Sequence, residues 1–130
     1  MLVLDENLPA SQRQLLHSWR IHFRVIGVDI ADAGTTDENV VPVLHRLPRP
    51  TFFTLDRDFY RPEWVHPAYA LVWPDVRGRE AAGCIRRFLR HPAFDIQAKR
   101  MGIVARVHAG GVVVWRRGQR TPALIRWPQA

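Results

Sequence analysis

The sequence predicts an α/β fold, with one domain built on a mostly parallel β-sheet, helices flanking the sheet and a β-hairpin near the C-terminus. Three observations predict it. The chain has 130 residues, which suits a single hydrophobic core. Short apolar runs alternate with segments whose apolar residues have helical spacing, as in sheets with crossover helices. Two later apolar runs are separated by Ala109-Gly110-Gly111, which indicates a hairpin.

The first third of the chain predicts two strands with a helix between them. Residues 1–4 form an apolar run that stops at Asp5, as expected of a buried strand. Pro9 suits the first turn of the following helix. Residues 23–26 predict the second strand, and residues 27–36, with two glycines, predict a loop. The apolar stripe of the helix would consist of Leu15, Leu16 and Trp19.

A second helix and a third strand are predicted next. Asp37 or the residue before it can cap the helix, which should end near Leu47 because two prolines follow. Its core face would consist of Val40, Val41, Val43, Leu44 and Leu47. Residues 51–55 predict an apolar strand that again ends in acids, at Asp56 and Asp58.

The C-terminal half continues the alternation and then changes to a hairpin. Residues 59–65 predict a short helix or turn, and residues 77–89 have the apolar spacing of an amphipathic helix. The remaining strands are predicted at residues 69–73, 103–107 and 112–115. We assign residues 1–118 to the domain and residues 119–130 to a C-terminal tail or an edge strand.

The net charge of +7 is divided unequally along the chain. Residues 1–75 contain seven arginines and ten acids, a net charge of −3, whereas residues 76–130 contain twelve basic and two acidic residues, a net charge of +10. Arginine holds phosphates well, so the basic half could bind a nucleic acid. Alternatively, the arginines of this half could form a solvated surface or bind an acidic partner protein. The candidate nucleic-acid-binding residues are Arg57, Arg86, Arg87 and Arg90.

Composition excludes several classes of protein and site. The longest apolar stretches are too short for a membrane span, and the acids at Asp5 and Glu6 argue against a signal peptide, so we expect a cytoplasmic protein. Cys84 is the only cysteine, which excludes an intramolecular disulfide and a thiolate metal site. The histidines do not show zinc-ligand spacing, and the sequence contains no Gly-x-Ser-x-Gly turn.

Acidic residues follow two of the predicted strands directly. If these strands are parallel and adjacent, Asp5 and Asp56 converge at one edge of the sheet, where ligands of such sheets collect. Asp37, at a helix start, could present a third carboxylate from the same side. A divalent ion such as Mg²⁺ or Mn²⁺ would relieve the repulsion within this cluster, and it can orient a phosphate and activate water. The alternative is that each aspartate caps a helix or forms a turn.

Three segments also resemble, in order, those of a bacterial PIN-like domain family. Residues 1–9, Met-Leu-Val-Leu-Asp-Glu-Asn-Leu-Pro, resemble its opening strand and Asp-Glu-Asn-Leu-Pro motif. Residues 34–40, Gly-Thr-Thr-Asp-Glu-Asn-Val, are similar to its second block, an acidic helix start. Residues 53–59, Phe-Thr-Leu-Asp-Arg-Asp-Phe, resemble its third block after a strand. The resemblance covers about the first half of the chain and implies a reduced PIN nuclease fold with an acidic Mg²⁺ or Mn²⁺ centre.

The resemblance also implies roles for individual residues. Asp5, Asp37 and Asp56 would be catalytic residues, as metal ligands or as the base, with Glu38 as a neighbour of or substitute for Asp37. Asp58 would be a fourth ligand or an outer residue. The residues implied to orient these carboxylates or hold water are Glu6, Asn7 and Thr54. Ordinary PIN domains carry a further glutamate on a helix after the first acid, and this chain has none between Asn7 and Asp29.

The resulting functional hypothesis is a metal-dependent ribonuclease that hydrolyses RNA phosphodiesters. Relatives of the family include VapC-type ribonuclease toxins, so the expected partners are RNA and a cognate antitoxin protein, and a homodimer is left open. The alternative is a non-catalytic PIN-like module that binds nucleic acid or a protein through its arginine-rich C-terminal half.

Overall fold

The structure, a computed structural model, describes residues 1–30 and 37–129 and contains one seven-stranded mixed sheet. The strands are β1 (Leu2–Leu4), β2 (Arg24–Val25), β3 (Thr51–Phe53), β4 (Ala70–Pro74), β5 (Ile103–His108), β6 (Gly111–Arg116) and β7 (Ala123–Arg126). The helices are α1 (Ala10–Ser18), α2 (Asp37–His45), α3 (Ala81–Arg90) and α4 (Gln97–Arg100). Three 3₁₀ turns lie at Arg57–Phe59, Pro62–Trp64 and Gly78–Glu80.

The strand order is β2-β1-β3-β4-β5-β6-β7, and the first five strands in this order run parallel. The β5–β6 and β6–β7 pairs are antiparallel. The prediction of an α/β domain with a mostly parallel sheet and a C-terminal hairpin is therefore confirmed. The adjacent, parallel placement of β1 and β3, on which the convergence of their terminal acids depends, is also present.

Alternating residues of the central strands divide the core between the two faces of the sheet. On one face, Phe53 and Val72 pack with Ile85 and Phe88 of α3, and α1 contributes Leu16. On the other face, a second core includes Val40 and Leu44 of α2. The strand residues of this second core include Phe52, Leu71 and Val104. Because successive residues face opposite cores, most residues of the central strands are buried, which explains their continuous apolar runs.

Helix boundaries follow the local signals with small differences. Pro9 is the N-cap of α1 and so lies just before its first turn. The second helix ends at His45, two residues before the expected end at Leu47. Leu47 lies in the turn that follows, where its N–H donates to the Leu44 carbonyl at 3.1 Å. The predicted helix at residues 77–89 is divided into the 3₁₀ turn Gly78–Glu80 and α3.

Two short elements complete the C-terminal half. The four-residue helix α4 was not predicted. Strand β7 lies within residues 119–130 and pairs with β6 at the edge of the sheet. In the described ranges, no helix has the length and apolarity needed to cross a bilayer.

Candidate functional site

The β1–β3 register places Asp5 and Thr54 side by side at one edge of the sheet. Leu4 is paired with Phe53, and each strand is followed by one of these two polar residues. The Asp5 N–H donates to the Phe53 carbonyl at 2.9 Å, and the Thr54 N–H donates to the Val72 carbonyl at 3.1 Å. The backbone of both residues is therefore fixed by the sheet, and we call this edge, where the parallel strands end, the carboxyl edge.

The Thr54 hydroxyl lies at the centre of the site. It is 0% exposed and donates to Oδ2 of Asp5 at 2.7 Å. It accepts from the Asp56 N–H at 3.0 Å and from the Asn7 side-chain amide at 3.2 Å. One donor and two acceptor positions are the full capacity of a hydroxyl, so Thr54 is satisfied in its burial and connects both aspartate segments.

Asn7 closes the same network from the β1–α1 loop. Its amide nitrogen bonds Thr54, and its Oδ1 accepts from the Leu55 N–H at 3.3 Å. Because both ends of the amide are used within the protein, Asn7 holds the loop after β1 against the loop after β3. These bonds are compatible with the expectation that Asn7 orients the carboxylates or holds water.

Asp56 makes two structural interactions, and the sequence alone did not show that one residue makes both. Its carboxylate caps the 3₁₀ turn Arg57–Phe59, because Oδ1 accepts from the Asp58 N–H at 2.9 Å. Its backbone N–H, through Thr54, places the residue near Asp5. The helix-cap interpretation is thus correct for Asp56 and is compatible with its place in a carboxylate pair.

The Asp5 carboxyl is partly buried, and its pKa is raised from the ordinary value. Burial is the largest cause, and the negative charges of Glu6 and Asp56 raise the pKa further, against hydrogen bonds from Thr54 and the Glu6 backbone that lower it. A carboxylate that is desolvated beside other acids is stabilised by any cation placed next to it.

The remaining predicted acids whose side chains are described lie on the surface. Glu6, Asp58 and Glu38 are exposed, Asp58 in the first turn after Asp56 and Glu38 at the start of α2. The side chain of Asp37 lies outside the described part of the structure, so its convergence with Asp5 stays a prediction. Among the side chains that the structure describes, no three from Asp, Glu, His and Cys are placed to hold one metal ion.

The donor chemistry of the pair suits a hard cation. Asp5 and Asp56 offer oxygen only, and Mg²⁺ in proteins is commonly held by one or two carboxylates with water in its other positions. Thr54 and Asn7 are committed to each other and to Asp5, so they would support ligands rather than act as ligands. The residues present therefore fit Mg²⁺ or Mn²⁺.

The predicted arginine set is divided between two regions. Arg57 is exposed in the turn directly after Asp56. Arg86 and Arg87 stack on indole rings, with 3.6 Å from the Arg86 guanidinium carbon to the Trp19 ring centre and 4.1 Å from that of Arg87 to Trp127. Arg90 is exposed near the end of α3. Trp19, Arg87 and Trp127 line a groove of about 510 Å³.

An aromatic cluster lies beyond the 3₁₀ turn Arg57–Phe59, and sequence reasoning missed its member Tyr60. The Trp115 indole N–H donates to the Tyr60 hydroxyl at 3.0 Å, and the Tyr60 and Trp73 rings are 5.7 Å apart. All three are partly buried. The available signal was the strand period, since Trp73 and Trp115 alternate with inward-facing valines, but Tyr60 reaches them only through the tertiary fold.

Comparisons of this chain with protein-family models, with curated proteins and with solved structures find no match.

Proposed function

We propose that this protein is a cytoplasmic, metal-dependent ribonuclease that hydrolyses RNA phosphodiesters at the carboxyl edge of its sheet. Asp5 and Asp56 would hold Mg²⁺ or Mn²⁺, and Asp37 with Glu38, at the start of α2, would supply further carboxylate. The observation that carries the proposal is the buried Thr54 hydroxyl, which ties Asp5 to the Asp56 segment. A turn cap alone would not require a second, partly buried carboxylate next to it.

The chain's own residues would then have distinct tasks. Thr54 and Asn7 keep the Asp5 carboxylate in one orientation, which lowers the cost of ordering it for a ligand. Oδ1 of Asp56 is used by the Asp58 N–H, so we assign its Oδ2 to the cation. Asp58, exposed beside the pair, would take a proton from the attacking water. Bound at this edge, the ion would orient the phosphate and stabilise charge on the leaving oxygen.

Metal titration tests the site itself. Added Mn²⁺ should raise the melting temperature of the wild type, because a ligand that binds only the folded state stabilises it. Asp5→Asn should remove most of this increase. Asp95→Asn is the matched control, since Asp95 is an exposed carboxylate that bonds Lys99, far along the chain from the pair. Equal Mn²⁺ responses in Asp5→Asn and Asp95→Asn would reject the metal site.

A ribonuclease assay tests the reaction. Wild-type protein with Mn²⁺ should cleave a single-stranded RNA, EDTA should stop the cleavage, and Asp56→Asn should reduce the rate at least about a hundredfold through loss of a metal ligand. Cleavage that is equal in the wild type and in Asp56→Asn would identify a contaminating nuclease and contradict the proposal.

The second candidate is a non-catalytic module that binds nucleic acid or a protein. It is favoured by one observation: of the proposed carboxylates whose side chains are described, Asp5 and Asp56 are linked through Thr54, while Glu38 and Asp58 are exposed and no third carboxylate joins them. RNA binding that persists in EDTA, with no cleavage in Mg²⁺ or Mn²⁺, would favour this candidate.

We extend the first proposal to a toxin controlled by an antitoxin protein, which rests on the resemblance to the PIN-like family. Expression of the wild type in a bacterial host should then slow growth, and Asp5→Asn should abolish the effect. Growth inhibition of the same size by the variant would contradict a toxin based on this site.

A further inference from the structure

Helix α2 and the core beneath it cover only part of their side of the sheet. The core under α2 includes residues of β1, β3 and β4 and reaches Val104 of β5. Beyond it, one cross-strand row extends over β4 to β7. Successive pairings of the sheet define the row as Trp73, Arg106, Val113 and Leu124. We call these four residues the open row.

The open row is accessible to a ligand. Leu124 is 51% exposed, the Arg106 side chain is 39% exposed, and Trp73 and Val113 are partly exposed. Their strand neighbours face the opposite core, where Val112 and Val114 are buried and Ile125 packs. The row thus belongs to the α2 side, while its apolar members remain in contact with solvent.

Aromatic rings join the open row to the 3₁₀ turn Arg57–Phe59. Tyr60 packs on Trp73 and bonds the Trp115 indole, and its N–H bonds the Arg57 carbonyl at 2.9 Å. Tyr60 therefore continues the 3₁₀ turn that Asp56 caps. The carboxyl edge and the open row are consequently parts of one continuous surface.

Positive charge borders the same surface. The Arg106 guanidinium lies 5.7 Å from the Trp73 ring centre and is paired with Asp75 at 2.8 Å. Arg126 is exposed on β7, on the same side as Leu124. The exposed arginines near the turn between β6 and β7 are Arg116, Arg117 and Arg120.

We propose that single-stranded RNA lies along the open row, with bases against the aromatic and apolar side chains and phosphates toward Arg126 and the β6–β7 turn. The identity of the ligand as an RNA rests on the proposed function, and the row would deliver the strand to the carboxyl edge. Stacking on partly exposed rings requires unpaired bases, so a single strand fits this surface and a duplex does not. Arginines attract the phosphates and the aromatic rings can stack on bases, and this combination fits a nucleic acid better than an apolar peptide.

A binding assay in EDTA tests this inference without cleavage. The probe is a fluorescein-labelled, mixed-sequence single-stranded RNA of about twelve nucleotides, a length within the usual range for such surfaces. We expect Leu124→Glu and Arg126→Glu each to weaken binding about tenfold, the first by placing a charge where a base packs and the second by placing negative charge beside the phosphates. Fluorescence anisotropy gives the affinities, and melting temperatures check that each variant is folded.

Two matched controls lie elsewhere on the protein. Leu15 is 41% exposed on α1, which packs on the other side of the sheet, and Arg24 is exposed on β2, at the opposite edge from β7. Leu15→Glu and Arg24→Glu should change the affinity less than about twofold, the effect expected of distant charge at physiological salt. A duplex RNA of the same sequence should compete poorly.

The outcomes separate this inference from the proposed function. Loss of binding in Arg90→Glu, with wild-type binding in Leu124→Glu and Arg126→Glu, would overturn the inference and place RNA on α3. Equal competition by duplex RNA, or no RNA binding by the wild type, would also overturn it. If the open-row variants lose binding while the wild type cleaves no RNA with any divalent metal, the inference stands and the nuclease does not.

Discussion

The hydroxyl of Thr54, itself fully buried, donates a 2.7 Å hydrogen bond to the carboxylate of Asp5 across the junction of two parallel strands. Asp5 is thereby held in one orientation at a position where burial and neighbouring acids raise its pKa. Carboxyl groups with perturbed pKa values are concentrated at sites that bind or react. This relationship supports the carboxyl edge as the functional end of the sheet, and it provides the first prediction.

Replacing Thr54 by valine removes the hydroxyl while keeping the side-chain shape. We expect Thr54→Val to lower the free energy of unfolding by roughly 1–3 kcal/mol, because the Asn7 amide and the Asp56 N–H lose their buried acceptor. Chemical denaturation measures the change. Thr54→Ser keeps the hydroxyl and should recover most of the loss. Equal destabilisation in both variants would show that the methyl group, rather than the hydrogen bonds, accounts for the effect.

The parts of the site that could be predicted are those set by neighbours along the chain. Apolar runs ending in Asp5 and Asp56 indicated two strands and an acidic edge, and the structure contains the adjacent parallel pair this required. The cap formed by Asp56 is a two-residue interaction and was likewise an open alternative. The central position of Thr54 requires contacts across 47 and 49 residues, which no local pattern specifies.

Arg100 shows the same limit in the fold. An arginine in a short polar segment is expected to lie on the surface, yet Arg100 is only 7% exposed. Its Nε donates to the Thr51 hydroxyl at 3.0 Å and one terminal nitrogen donates to the Phe94 carbonyl at 2.8 Å. Burial of a guanidinium is tolerated only when distant acceptors are supplied, so α4 and its anchor could not be predicted from the composition.

The single cysteine should be unreactive in the folded protein. Burial raises the pKa of the Cys84 thiol to about 12, although the charge of Arg87 acts in the opposite direction. Since the thiolate is the reactive form, we expect labelling by a thiol reagent at pH 8 to be at least about a hundredfold slower in the folded than in the unfolded chain. Time courses with and without urea measure this ratio. Similar rates in both states would contradict the raised pKa and partial burial of Cys84.

The glycine that begins β6 should resist substitution. Gly111 has φ +146°, and a Cβ added there would lie 2.5 Å from the Ile125 carbonyl oxygen of β7. We expect Gly111→Ala to lower the free energy of unfolding by about 2 kcal/mol or more, because β7 must move away. Gly118→Ala is the control.

Gly118 has φ +81° but open space around the position of a Cβ, so its substitution carries only backbone strain of about 1 kcal/mol. Denaturant unfolding compares the two variants. A cost for Gly111→Ala no larger than that for Gly118→Ala would contradict the close approach of β6 and β7, on which the open row depends.

The last prediction concerns the pH dependence of stability with divalent metals removed by EDTA. The pKa of Asp5 is higher in the folded protein than its ordinary value of 3.8, so the folded state binds more protons in that pH range than the unfolded state does. Stability contributed by the protonated carboxyl is present at low pH and is lost as the pH rises through the raised pKa. Asp5→Asn does not titrate and keeps an oxygen that can accept from Thr54.

We therefore expect Asp5→Asn to be more stable than the wild type at pH 7, with a difference that grows from about pH 4 upward and then becomes constant. Unfolding by urea at a series of pH values measures it, and Asp95→Asn should show no such gain, because hydrogen bonding to Lys99 lowers the pKa of Asp95. Addition of Mn²⁺ should reverse the order at neutral pH, since the ion stabilises only the chain that retains its carboxylate. A pH-independent difference would show that Asp5 is not desolvated as the structure has it.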